Sequence, residues 1–116
     1  MKHIKVPAPI QLFDLSANPP RPIPGEEEPW SLHKFLMRAV LPDPAFGKGY
    51  KADRARVAID KATRSFVGGE VWQIEDEHLD MLKTALETPG GEFPPAVKMQ
   101  CFPFQLAIME ASDNGS

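Results

Sequence analysis

The chain reads as an α+β protein: a small single domain of about four helices with a short antiparallel β element and a proline-rich N-terminal arm. Three observations lead there. Apolar residues beyond residue 30 recur mostly at helical spacing. One short stretch, VWQI at 71–74, is instead built from residues that favour strands. Thirteen prolines are present, and five of them (Pro19, Pro20, Pro22, Pro24, Pro29) crowd one segment. Each fixes φ and lacks an N–H donor, which keeps that segment out of helix interiors and central strands. With 116 residues, 42% of them apolar, the chain can bury one core without disulfides or metal.

In chain order, residues 4–15 alternate loosely, with Ile4, Val6, Ile10 and Leu12, and with Phe13 and Leu15 beyond. Pro7 and Pro9 restrict any strand here to an edge or a β-like arm, so the segment reads as a short hairpin or an arm laid against the domain. Residues 16–29 follow as linker, so residues 1–29 form an extended arm and 30–111 the compact domain. The N-terminal segment and residues 70–74 are able to pair as strands, although the sequence alone does not demonstrate it.

The stretch GEEEPWSLHKFLMRAV, 25–40, opens the first helix. Ser31 is a good N-cap, because its hydroxyl can accept an orphan N–H of the first turn. Trp30 and Phe35 have hydrophobic-staple spacing. Glu26, Glu27 and Glu28 lie near the positive end of the helix dipole. Leu32, Phe35, Leu36, Ala39 and Val40 form the apolar stripe, and Pro42 and Pro44 end it. The clearest helix, 51–66, carries Ala52, Ala55, Ala58, Ile59, Ala62 and Phe66, with Gly68-Gly69 as the stop signal. Glu75 or Asp76 opens a third helix with Leu79, Leu82, Ala85 and Leu86 on one side. Thr88-Pro89-Gly90-Gly91 closes it. Pro94-Pro95 opens a last helical region, which Pro103 restarts. Residues 112–116, SDNGS, read as a disordered tail.

Chemistry-bearing motifs are sparse. His3, His33 and His78 have no second His or Cys at metal-ligand spacing. The acids around His78 do not follow the alternating calcium-loop pattern. Cys101, the single cysteine, sits among apolar residues in MQCFPF, as a buried structural thiol would. GKGYK lacks the spacing of a phosphate loop. The reading is therefore no catalytic residues, no metal and no cofactor: a protein that is not an enzyme. No apolar run approaches the roughly 18 residues of a membrane span, and the start has no apolar core of signal-peptide type. The expectation is a cytoplasmic protein without a membrane partner.

Charge is segregated. From Lys48 to Arg64 there are six cations against two acids, net +4; from Glu70 to Glu92 there are seven acids against one lysine, net −6. Lys51, Arg54, Lys61 and Arg64 share a sector beside the alanine face. The plainest account is a solvated helix face and two segments that attract each other within the fold. A functional account has the basic face dock an acidic surface of another protein. A nucleic-acid account uses the phosphate affinity of Lys48, Lys51, Arg54, Arg56, Lys61 and Arg64, but the net charge of −3 opposes it and no aromatic is interleaved among the cations of the Lys51–Arg64 face.

Four segments, IQLFDLSANP, EPWSLHKFLMRAVLPDPAF, VWQIEDEHLDMLKTALETP and MQCFPFQLAIMEA, give the chain a layout that resembles small accessory proteins of tailed bacteriophages. That resemblance implies a virion-assembly or host-interaction factor in the host cytoplasm or associated with the virion, and it assigns no functional residues. The expectation is then a non-enzymatic protein-binding accessory factor. Its partner is a phage or host protein, or a second copy of the chain. Phe13, Leu15, Ile23 and Trp30 are the candidate anchors, and Arg54, Lys61 and Arg64 the candidate steering charges. The alternative is a nucleic-acid-binding regulator using the basic helix.

Overall fold

The structure, a computed structural model, describes residues 1–91 and 93–111. The expected tail, 112–116, lies outside the described residues. The elements run β1 (Lys2–Lys5), β2 (Phe13–Asp14), β3 (Arg21–Pro22), α1 (Leu32–Phe35), α2 (Tyr50–Thr63), β4 (Val71–Ile74), α3 (Asp76–Glu87), α4 (Pro95–Gln100) and α5 (Phe102–Met109). The class is α+β. No described helix is long and apolar enough to cross a membrane.

The main β element joins the two ends of the expected pairing. β1 runs antiparallel to β4, with Ile4 opposite Trp72 and Lys2 opposite Ile74. Period-2 alternation then sends Ile4, Val6, Trp72 and Ile74 into the core and leaves Val71 and Gln73 outside. The ladder continues past β1, where the Val6 N–H donates to Glu70 O and the Gly69 N–H to Val6 O, each at 2.9 Å. Gly68 makes this return: its φ is +117°, and a Cβ there would lie 3.0 Å from the Ala8 backbone.

The first twenty-nine residues are not an arm reaching away from the body. Ile4, Val6 and Leu12 are buried in the same core as α1, α2 and α3. Ile10 and Trp30 exchange both backbone hydrogen bonds, at 2.9 and 2.8 Å, so residues 11–29 leave and return through one closed base. Inside that excursion β2 pairs with β3. The Gln100 side chain accepts from Phe13 N at 2.9 Å and donates to Phe13 O at 3.0 Å, which ties β2 to α4. Proline does limit the strands here to two residues each, as the missing donors require.

The acidic run before α1 acts locally. Ser31 Oγ accepts from Lys34 N at 3.1 Å, the expected cap. Glu26 does more than sit near a dipole. It accepts from Trp30 Nε1 at 2.8 Å and pairs with Lys34 at 2.9 Å and Arg38 at 3.3 Å. The Lys34 and Arg38 cations also lie over the Trp30 ring. After Phe35 the helix widens to a π turn, Leu36–Val40, closed by Leu41 N on Leu36 O at 2.8 Å. The wider turn brings Leu41 over Leu36, so that Leu36, Val40 and Leu41 are all buried.

α2 is shorter than the basic helix 51–66 of the sequence reading, and its buried face is Ala52, Ala55, Ile59 and Thr63. Ala58 and Ala62, expected inside, are exposed. Thr63 takes the buried position because its hydroxyl donates to Ile59 O at 2.8 Å. The C-terminal helical region breaks at Cys101, as Pro103 requires: it has no N–H to give the preceding turn. This break makes five helices where about four were expected.

Candidate interaction surfaces

The α2 surface begins with the six cations of Lys48–Arg64. Three are engaged within the fold. Lys51 pairs with Glu77, the attraction between basic and acidic segments that charge segregation predicts. Arg64 grips Asp60 through two hydrogen bonds, at 3.0 and 2.7 Å. Arg56 donates to Leu41 O at 2.7 Å, to Gly47 O at 2.6 Å and to Asp53 at 2.9 Å, with its guanidinium over the Phe46 ring. It is a clamp for the 41–47 turn. Arg54 and Lys61 form no ion pair among the described residues. They border a shallow groove along α2 with Tyr50, Val57 and Ala58. Tyr50 is an exposed aromatic on the cationic face, which the sequence reading left out.

Beside that groove lies a dyad that sequence spacing did not reveal. His33 Nε2 sits 2.7 Å from Asp60 Oδ1, joining α1 to α2 across 27 positions. The Arg64 guanidinium, and secondarily His33, hold the Asp60 carboxyl well below the usual carboxylate range. No hydroxyl or thiol completes this pair into a nucleophilic set among the described contacts, so the arrangement fastens two helices together. A second cleft, about 520 Å³, lies between β1 and α5. His3, Lys5 and Glu110 line it with Val6, Pro103 and Leu106. His3 Nδ1 is buried without a hydrogen-bond partner in the structure. Among the described residues, no cluster of His, Cys, Asp or Glu has the makings of a metal site.

The C-terminal helices hold the most unusual surface. α5 is apolar on nearly every side. Cys101, Phe104 and Ile108 point into the core, with Phe104 stacked on Phe35 at a centroid distance of 5.6 Å. The opposite side should be polar for a helix at a protein surface. It is instead Met99, Phe102, Leu106 and Met109, exposed to 72%, 56%, 41% and 37%. Burial pushes the Cys101 thiol up to about 11, so that residue is a packing group and not a nucleophile.

The seven sequence-predicted site residues divide. Phe13 and Leu15 are exposed, and the Gln100 bonds hold the Phe13 backbone to α4. Arg54 and Lys61 are exposed on α2. Trp30 is a core residue, only 3% exposed, because the loop closure and Glu26 draw it inward, and Ile23 is partly buried against that core. Arg64 is a brace for Asp60. The anchors at Phe13 and Leu15 and the charges at Arg54 and Lys61 therefore belong to different elements. Met99, Phe102, Leu106 and Met109 were missed, although the helix CFPFQLAIM shows the signal: it offers no charged residue to a solvent face.

Comparison of the chain with protein-family models, with curated proteins and with solved structures finds no match.

Proposed function

We propose that the chain is a non-enzymatic protein-binding accessory factor whose working surface is the outer face of α4 and α5. One observation carries the reading: Met99, Phe102, Leu106 and Met109 present a contiguous apolar stripe to solvent on a helix that is apolar on its buried side as well. Scattered apolar residues are ordinary on a surface, but an aligned set at 3-4-3 spacing is what a helical interface needs. The setting in phage assembly or host interaction rests on the resemblance of the four segments named above.

The nucleic-acid reading loses support from the ion pairs on α2. Lys51, Arg56 and Arg64 are each committed to a carboxylate, which leaves Lys48, Arg54 and Lys61 for phosphates. Affinity from so few contacts falls quickly in salt.

A photo-crosslinking amino acid placed at position 102, in the cell that naturally expresses the chain, tests the proposal. Val67, also well exposed, serves as the control position. Specific protein adducts from position 102 and not from 67 are expected. Absence of protein adducts at 102, or the same adducts from both positions, would contradict the reading.

A further inference from the structure

We infer that the partner of this face is a second copy of the chain, docked antiparallel along α4–α5 about a two-fold axis; the inference rests on the reading of that face as a protein-binding surface. The argument begins with spacing. An isologous contact needs a surface that is complementary to itself after a half-turn. In an antiparallel helix pair, residue i faces residue j whenever the two numbers share a fixed sum. The stripe reads 99, 102, 106, 109, the same from either end. With the axis at the level of residue 104, Met99 faces Met109 of the second copy and Phe102 faces its Leu106. Every member of the stripe meets an apolar partner.

The charged residues at the two ends lie on opposite flanks of the stripe: Lys98 faces Phe93 and Pro94, near enough to Asp43 for its charge to act on that carboxyl, and Glu110 borders the His3–Lys5 cleft. A two-fold axis keeps each of them on its own flank, so both stay outside the apolar middle and neither is buried by the contact.

The uncovered area fits. With side chains of about 200 Å² each, the exposures of the four residues leave on the order of 400 Å² of apolar surface open to water. One side of a standard interface takes about 800 Å², a little over half of it apolar. The stripe therefore supplies about the apolar share of one such side. Cys101 bends the run at φ −89°, ψ 12°, but Cys101 N still donates to Val97 O and Phe104 N to Cys101 O. Met99 thus stays hydrogen-bonded into the same helical run as Phe102.

Sedimentation velocity of the purified full chain over a wide concentration range tests this. The expected result is a species of two-chain mass that gives way to one-chain mass on dilution. The double variant Phe102→Glu with Leu106→Glu should sediment as one chain throughout, with an unchanged far-UV dichroism spectrum, since both positions are exposed.

A one-chain mass at every concentration overturns the inference. So does a dimer that survives Phe102→Glu with Leu106→Glu. The two levels of the argument separate cleanly. If the chain is monomeric yet position 102 crosslinks to a different protein, the second copy is excluded and the protein-binding reading stands. If position 102 captures nothing, both fall.

Discussion

Cys101 shows how position decides chemistry at the scale of one residue. The thiol is fully buried between Phe104 and the α4 turn, and desolvation raises its pKa from 9.0 to about 11. Below pH 9 the neutral thiol is present in both folded and unfolded chains, so nothing is lost; as the pH rises from 9 to about 11 the unfolded chain gains the thiolate while the folded chain keeps its proton, and stability falls. The native protein should resist alkylation at pH 8 and react with one equivalent of reagent once denatured, as a thiol titration would read. Prompt labelling of the native chain would contradict the packing of Cys101. Asp60 has the opposite sign. Its folded pKa is depressed by Arg64 and then by His33, so its stabilisation is complete above the ordinary value of 3.8 and is lost as the pH falls through the lower, folded value. Asp60→Asn should melt below the parent at neutral pH, and the gap should narrow below pH 3.8. A gap that stays constant into acid would show that the carboxylate charge is irrelevant to α1–α2 docking.

Elements differ in how far short-range sequence determines them. Ser31 caps α1, Pro42 stops the turn that follows, and VWQI forms β4, because each depends on neighbours a few residues away. The interior of α2 was less legible: alanine gives no clear inside, and Ala58 and Ala62 proved exposed while Thr63 went in by satisfying its own hydroxyl. The pairs that unite elements, His33 with Asp60 and Gln100 with Phe13, leave no mark in local pattern at all. α5 is the case where the pattern was present and carried a different meaning. Its two apolar faces make unequal demands. Phe104→Ala removes a fully buried ring stacked on Phe35 and should cost about 3–5 kcal/mol in denaturant unfolding. Phe102→Ala, on the open face, should cost under about 1 kcal/mol in dilute protein, where association does not contribute. Equal losses would mean that the outer face is already covered within one chain.

For the whole molecule, the main departure from the sequence reading is the leader. Proline content pointed to a stiff segment directed outward; the Ile10–Trp30 bridge and the β1–β4 ladder make it a structural wall instead. Such long-range closure is invisible to composition, since proline limits how a segment pairs but not where it goes. With the leader inside the fold, the binding role we propose rests on the C-terminal helices and not on an arm. Methionine oxidation tests that role most directly, because the chain carries its own reporters: Met99 and Met109 on the α4–α5 face, and exposed Met1 elsewhere as the internal standard. Mass spectrometry of the oxidised protein across a dilution series should find Met99 and Met109 protected relative to Met1 when the protein is concentrated, with Met99 catching up with Met1 on dilution. Equal oxidation of Met99 and Met1 at every concentration would contradict the claim that this face is covered by a second chain.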